Sequence, residues 1–317
     1  MNSWNYNIMG RYLAFIIFFT YQVLIFAQNP LPKVSSGTLI RLDSFPSKYV
    51  QKRNIDLWLP EGYSTENKYA VLYMHDGQML FDSSTNWNLQ AWDIDDIGQK
   101  LMKEKKVRPF IVVGIWNSGS SRHIDYFPKK PFESLSIKEQ QDIYQAARNN
   151  GYSVFQEKNI VSDDYLKFLV HELKPYIDAN FAVEKDKNNT CIMGSSMGGL
   201  ISLYAICEYP DVFGAAACLS THWPGIFTLE NNPIPEAFYR YLEKNLPDPR
   251  KNKIYFDFGT ATLDAMYPPL QAEVDKIMIK KGFSSGSWQT LKFEGEDHSE
   301  KAWKKRLPIP LTFLFGK

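Results

Sequence analysis

The pentapeptide Gly-Ser-Ser-Met-Gly at residues 194–198 constrains the fold of this chain more than any other stretch. It follows the short apolar segment 191–193 and precedes the apolar run 200–206, so we predict a strand, a sharp turn and a helix. In a G-x-S-x-G turn the glycines leave room where the backbone approaches itself, and the central serine is exposed at the tip. An ordinary Gly/Ser turn is the alternative. We interpret Ser196 as a nucleophile and the amide of Met197 as an oxyanion donor.

A serine hydroxyl needs a base to accept its proton, and that base needs an acid to orient it. In α/β-hydrolases, whose nucleophile turn this pentapeptide resembles, the acid and then the histidine follow the serine in the chain. His222 and His298 are the histidines after Ser196, and only His298 leaves room for an intervening acid. It lies in a polar loop after the strand-like segment 288–293. We predict His298 as the base; a surface histidine is the alternative.

The acid is expected after the strand predicted at 253–258. Asp257 lies within that strand, whereas Asp264 lies a few residues beyond it, where a turn brings the chain to the top of the sheet. We predict Asp264 as the acid. A turn or N-cap aspartate is the alternative, because aspartate is favoured at such positions without any chemistry.

A second oxyanion donor is expected in the loop after the strand predicted at 69–74. Gly77 allows that loop to turn its amides inward, so we predict the amide of Gln78 as the donor. His75 and Asp76 are also potential metal ligands, but no third ligand with suitable spacing is near them. We expect no metal and no other cofactor.

These motifs resemble the esterase D-like group of α/β-hydrolases, which includes feruloyl and acetylxylan esterases, enterochelin-type siderophore esterases, S-formylglutathione hydrolases and mycolyltransferases. The resemblance spans residues 53–60, 73–82, 194–199 and 298–303. It implies Ser196 and His298 as nucleophile and base, with the Gln78 and Met197 amides as the oxyanion hole. Many members carry a glutamate soon after a Gly-Thr pair. Here Thr262 and Leu263 occupy those positions, and Asp264 is the nearest carboxylate.

Alternating strand and helix patterns predict an α/β-hydrolase fold with a mostly parallel, doubly wound sheet. Residues 37–45 and 52–59 predict an antiparallel hairpin at its edge. The aromatic-rich stretch 116–162 is too long for a plain connection and reads as a cap-like insertion. We expect five side chains to contact the substrate: Trp116, Arg122, Tyr126, His222 and Trp223. Packing of the aromatic rings against the body, and a structural role for His222, are the alternatives.

Residues 1–27 predict a signal peptide, with Arg11 before an apolar stretch and the small residue Ala27 at its end. An uncleaved anchor is the alternative. Residues 28–317 then form a single domain that is secreted or periplasmic. The three cysteines, Cys191, Cys207 and Cys218, lie in apolar contexts and predict buried free thiols.

The formal net charge of +1 indicates neither nucleic acid nor a membrane surface as a partner. We predict a secreted serine carboxylesterase whose substrates are small-molecule or oligosaccharide esters of feruloyl or acetyl type. Three other functions stay open: a siderophore esterase, an acyltransferase, and a non-catalytic carbohydrate-binding protein on a hydrolase scaffold. The sequence indicates no oligomeric state.

Overall fold

The computed structural model describes residues 30–145, 153–155 and 159–316. One eight-stranded sheet, in the order β1-β2-β4-β3-β5-β6-β7-β8, forms the centre of the protein. Its strands are β1 Thr38–Phe45, β2 Arg53–Leu59, β3 Ala70–His75, β4 Phe110–Ile115, β5 Thr190–Ser195, β6 Ala215–Leu219, β7 Lys253–Gly259 and β8 Trp288–Phe293. The predicted signal peptide lies outside the described residues.

The pairing of the strands follows the predicted pattern. Strands β1 and β2 pair antiparallel at one edge, β2 pairs antiparallel with β4, and the remaining pairs are parallel. Strands β3 to β6 are buried along their whole length, which is why they appear in the sequence as continuous apolar runs. The predicted α/β-hydrolase fold is confirmed.

Helices cover both faces of the sheet. They are α1 Ile94–Lys103, α2 Arg122–Tyr126, α3 Lys129–Glu133, α4 Ile137–Gln145, α5 Ser162–Phe168, α6 Lys174–Asn180, α7 Met197–Glu208, α8 Ile234–Asn245, α9 Tyr267–Lys280, α10 Glu300–Arg306 and α11 Pro308–Phe315. Neighbouring strand residues point to opposite faces, so Ile192 belongs to the core cluster under α7 while Met193 belongs to the cluster under α10 and α11.

The stretch 163–180 is helical but is not one continuous α-helix. A π-helical turn, Leu169–Leu173, separates α5 from α6, and Pro175 lies in the first turn of α6. Proline lacks an N–H and its ring crowds the carbonyl four residues earlier, so the irregularity falls before Pro175 rather than near the helix end. In the described part of the chain, no helix is long and apolar enough to cross a membrane.

The described part of 116–162 contains α2, α3 and α4 and is fastened by aromatic packing. The ring of Phe127 lies 5.4 Å from that of Phe155 and 5.6 Å from that of Phe238 in α8. These three rings are buried. Cys191, Cys207 and Cys218 are buried free thiols, as predicted.

Candidate active site

Ser196 stands at a strained turn between β5 and α7. Its backbone has φ 59° and ψ −122°, a region that residues with a side chain rarely adopt. The turn is tight: a Cβ added to Gly194 would lie 2.8 Å from the backbone of Gly198. The amide of Ser196 donates to Leu219 O at 2.9 Å, which ties the turn to the end of β6. This geometry exposes the hydroxyl-bearing residue at the carboxyl edge of the sheet, as in a nucleophile elbow.

His298 and Asp264 meet on two loops at the same edge of the sheet. Asp264 lies in a short 3₁₀ helix, Thr262–Met266, that follows β7, and His298 lies in the loop after β8. The His298 Nδ1 and Asp264 Oδ1 atoms are 2.5 Å apart. The Asp264 side chain is fully buried, whereas the His298 side chain is 14% exposed. A buried carboxylate therefore holds an imidazole that is open to the solvent.

The carboxylate of Asp264 is held in its charged form. Burial alone would raise its pKa, but the hydrogen bond and charge of His298, together with hydrogen bonds from Ser220 and Gly259, bring the pKa below its ordinary value. The Ser220 hydroxyl and the Gly259 amide both donate to Asp264 Oδ2 at 2.6 Å. The other oxygen is therefore left for the imidazole.

Ser220 links Asp264 to a second buried charge pair. Its hydroxyl oxygen accepts hydrogen bonds from Trp303 Nε1 at 2.9 Å and from Arg306 Nη2 at 2.8 Å. The same Arg306 nitrogen lies 2.9 Å from Asp257 Oδ1. Burial raises the pKa of Asp257 to about 6, against the opposing charge of Arg306. Sequence reasoning missed Ser220 and Arg306; the position of Ser220 directly after β6 was the available signal.

The loop after β3 carries the predicted second oxyanion donor. A Cβ on Gly77 would come within 2.5 Å of the Gly114 backbone, so only glycine allows this approach. The Gln78 side chain accepts from Asn117 N at 3.2 Å, which fixes its direction. In the described part of the chain, the amides of Gln78 and Met197 donate to no protein group. Both are thus available to a bound oxygen.

Asp76 anchors this loop. It adopts a left-handed backbone conformation with φ 57° and receives two hydrogen bonds of 2.7 Å from Arg122. Asn117 Nδ2 donates a third at 2.8 Å. Burial would raise the pKa of Asp76, but the charge and hydrogen bonds of Arg122 and the bond from Asn117 lower it below the ordinary value. The positive charge of Arg122 at the cavity is therefore compensated by the carboxylate of Asp76.

A cavity of about 740 Å³ opens between these loops. Six of the predicted site residues line it: Gln78, Arg122, Ser196, Met197, His222 and His298. His222 is 1% exposed and its Nδ1 lies 2.9 Å from the hydroxyl of Tyr267. Burial places the pKa of His222 well below the ordinary value, so the ring is a neutral part of the wall.

Three of the residues expected to contact substrate do not line the cavity, which corrects those assignments. The indole of Trp116 donates to Asp56 at 2.8 Å and stacks under Arg41 instead. Tyr126 has no exposed surface. Trp223 is 1% exposed and donates to Gln271 at 2.9 Å. Tyr126 and Trp223 belong to the core, where burial of their large rings stabilises the fold, whereas Trp116 is half-buried against Arg41 and Asp56.

Sequence reasoning missed other lining residues. The cavity is also lined by Trp87, Asn88, Gln90, Phe227, Glu300 and Trp303. Trp87 and Phe227 are 88% and 40% exposed, respectively. Since neither lies next to a recognisable motif, only the exposure of an aromatic ring at a cavity marks them.

His75 supports the oxyanion loop from below. It is 2% exposed, and its Nδ1 lies 2.8 Å from the hydroxyl of Tyr165. Burial lowers the pKa of His75 to about 3, against the charge of Asp76. Among the described residues, no group of three or more His, Cys, Asp or Glu side chains could hold a metal ion.

The buried neutral state of His75 predicts a loss of stability as the pH falls. In the folded state the pKa of His75 is about 3, below the ordinary histidine value of about 6.5. At a pH between these two values the unfolded chain binds a proton at His75 that the folded chain does not bind, so lowering the pH favours unfolding. Between about pH 7.5 and about pH 5, one such group lowers the free energy of unfolding by about 2 kcal/mol. In urea unfolding, His75→Gln should lose about 2 kcal/mol less than the wild type over this interval.

Asp257 acts with the opposite sign, because its raised pKa lets the folded state bind the proton first. The contribution of Asp257 is the same in the wild type and in His75→Gln, so it cancels when their pH dependences are compared. Equal pH dependence in the wild type and His75→Gln would contradict the prediction.

Comparison with known proteins agrees with this geometry. The chain is 25% identical over 272 residues to the uncharacterized protein YbbA of Bacillus subtilis, covering 84% of this chain and 93% of that protein. It is also 25% identical over 184 residues to the ferri-bacillibactin esterase BesA of Bacillus subtilis, covering 56% of this chain and 55% of that protein.

The structure of a ferulic acid esterase superimposes with a TM-score of 0.60 at 18% identity, covering 88% of this chain and 98% of that one, which shows the shared fold. The sequence model of the Esterase family matches residues 47–312, a span that includes the strained serine, the buried aspartate and the cavity histidine. The chain therefore belongs to the Esterase family and is an esterase.

Proposed function

We propose that this protein is a serine esterase that hydrolyses carbohydrate-linked esters of feruloyl or acetyl type. The observation that carries the proposal is the 2.5 Å contact between His298 Nδ1 and Asp264 Oδ1 at the cavity that Ser196 lines. A buried carboxylate, an imidazole and a serine at a strained turn are the parts of a Ser-His-Asp triad.

The reaction follows from these positions. Ser196 Oγ attacks the ester carbonyl carbon while His298 Nε2 takes the hydroxyl proton, and Asp264 accepts a hydrogen bond from His298 Nδ1 and stabilises the imidazolium. The carbonyl oxygen becomes an oxyanion that accepts hydrogen bonds from the amides of Gln78 and Met197. Collapse of this intermediate breaks the bond to the alcohol, which leaves with the proton from His298. Water then attacks the acyl-enzyme by the same route and releases the acid.

The charge of the cavity favours a neutral ester. Among the described lining residues, Arg122 is the only arginine or lysine, and both of its hydrogen bonds to Asp76 are 2.7 Å long. Glu300 adds a carboxylate to the lining. A ferric catecholate siderophore is a multiply charged anion, and cationic side chains without an acidic partner in the cavity would strengthen its binding. A glycan ester instead needs hydrogen-bonding groups and an aromatic surface. The siderophore esterase is therefore the second candidate.

Two measurements test the function. A fluorophosphonate probe should label the wild type and leave Ser196→Ala unlabelled, since the probe reacts only with an activated serine. Purified protein is then assayed with methyl ferulate, acetylated xylan and a catecholate triester. We expect hydrolysis of the feruloyl or acetyl substrate. Turnover of the catecholate triester alone would identify a siderophore esterase. Transfer of the acyl group to an added sugar would identify an acyltransferase. A protein that shows neither labelling nor turnover would be non-catalytic.

We further propose that residues 1–27 direct the protein to a secreted or periplasmic location. The support is the apolar stretch that ends at Ala27, before Gln28. Mass measurement of protein recovered from culture medium or periplasm should give a chain beginning at Gln28. A chain that retains residues 1–27 would contradict cleavage.

A further inference from the structure

Trp87 is a large aromatic side chain left in solvent at the cavity. It is 88% exposed and lies in the loop between β3 and α1 that lines the cavity beside Asn88 and Gln90. By contrast, four other described tryptophans are at most 4% exposed: Trp58, Trp92, Trp223 and Trp303. Burying such a ring is worth several kcal/mol, so its exposure beside the site points to a ligand that covers it.

The loop that carries Trp87 is firmly held. Asn86 is buried, its Nδ2 donates to Gln90 O at 2.6 Å, and its carbonyl accepts from Leu89 N at 3.1 Å. These bonds close the turn around Trp87 from both sides. A preorganised loop can present the ring to a ligand without the entropy cost of ordering the loop.

The loop is also joined to the segment that follows the catalytic histidine. Asn88 Nδ2 donates to Glu300 Oε2 at 2.9 Å, and Gln90 Oε1 accepts from Lys301 N at 3.1 Å. Glu300 and Lys301 begin α10, directly after His298 and Ser299. The loop that carries Trp87 is therefore held against the segment that follows His298.

This position identifies the part of the substrate that Trp87 meets. His298 protonates the departing alcohol oxygen, so the alcohol portion of the ester lies on the His298 side of the cavity. The groups beside Trp87 are an amide pair, Asn88 and Gln90, and the carboxylate of Glu300. An aromatic face with amide and carboxylate groups around it matches a sugar ring, which presents C–H bonds on one face and hydroxyls at its edge.

We propose that Trp87 forms a sugar-stacking subsite for the alcohol portion of the ester, with Asn88, Gln90 and Glu300 binding the sugar hydroxyls. This inference rests on the proposed function and gives it a substrate class, esters borne on an oligosaccharide. Trp87 is a specificity-determining residue and takes no part in the chemical steps.

The kinetic test uses pairs of substrates with the same acyl group: methyl ferulate against a feruloylated arabino-oligosaccharide, and p-nitrophenyl acetate against an acetylated xylo-oligosaccharide. Trp87→Ala should lower kcat/KM for the oligosaccharide esters by about tenfold, mainly through KM, and leave the simple esters unchanged. Leu89→Ala is the matched control, because Leu89 is 73% exposed on the same loop but does not line the cavity. It should match the wild type with every substrate.

The outcomes separate the possible roles of the ring. Equal losses on simple and oligosaccharide esters would overturn the proposal in favour of an acyl-side contact, and no loss on either would overturn it altogether.

A binding measurement separates this proposal from the proposed function. In Ser196→Ala, titration with unesterified xylo-oligosaccharide or arabino-oligosaccharide should shift the fluorescence of exposed Trp87, and the shift should vanish in Ser196→Ala/Trp87→Ala. If the wild type cleaves only a catecholate triester, the proposed substrate fails, and the titration alone decides the subsite. No shift with either oligosaccharide would overturn the subsite even if the enzyme cleaves glycan esters.

Discussion

Replacing Ser196 with alanine is expected to lower kcat for ester hydrolysis by about 10⁶-fold, by analogy with other Ser-His-Asp enzymes, while leaving the fold intact. Without the Oγ no acyl-enzyme forms, and only binding and the oxyanion amides remain. Steady-state kinetics on the best ester, with a circular dichroism spectrum and a urea unfolding curve, measure the two parts of the prediction.

Ser195 is the control for register, because it precedes Ser196, lines the same cavity and is 5% exposed. Ser195→Ala should retain turnover of the same order as the wild type. An inactive Ser195→Ala beside an active Ser196→Ala would show that the nucleophile had been placed one residue too late.

Replacing Asp264 with asparagine is expected to lower kcat by up to about 10⁴-fold, the second-largest effect. The amide keeps the shape of the side chain but lacks the charge that orients the imidazole and stabilises the imidazolium formed as Ser196 attacks. The Ser220 and Gly259 donors on Asp264 Oδ2, at 2.6 Å each, would then favour placing the amide nitrogen toward His298, which holds the ring in the wrong tautomer.

Two variants are measured in parallel. Asp257→Asn removes the partner of buried Arg306, so it should lower the free energy of unfolding more than it lowers kcat. Asp297 adjoins His298 and accepts a hydrogen bond from Ser299 at 2.5 Å, so Asp297→Asn should retain activity. Near-normal kcat in Asp264→Asn would contradict the assignment, and a loss of about 10⁴-fold in either other variant would transfer the role of the acid to that residue.

The fold could be predicted because the strands at the centre of the sheet are short, largely apolar segments, a pattern that can be recognised without knowledge of tertiary contacts. Strands β3 and β7 match their predicted segments to within one residue at each end, since strands that are buried on both faces appear as compact apolar runs in the sequence. The π-helical turn at Leu169–Leu173 could not be predicted, because helical periodicity does not register one extra residue per turn.

For the site, too, the sequence predicted some residues and not others. The chain order of serine, acid and histidine, with loops after strands, selected Ser196, Asp264 and His298, and the structure brings Asp264 against His298. Their roles stay predictions. Trp116 and Trp223 do not line the cavity and Trp87 does, a difference that the sequence did not indicate, because the position of an aromatic ring depends on neighbours that lie far away in the sequence.

The chain order of the site sets when activity can first arise during synthesis. In the proposed site, Ser196, Asp264 and the two oxyanion amides are all translated before His298, the proposed base. Trp303 and Arg306, which donate hydrogen bonds to Ser220, are translated later still. Domains fold progressively as the chain leaves the ribosome, and a growing chain that ends before His298 contains Ser196 without its proposed proton acceptor. On the proposed mechanism such a nascent chain has no ester turnover, and turnover first arises once His298 is released and α10 has docked behind Ser220.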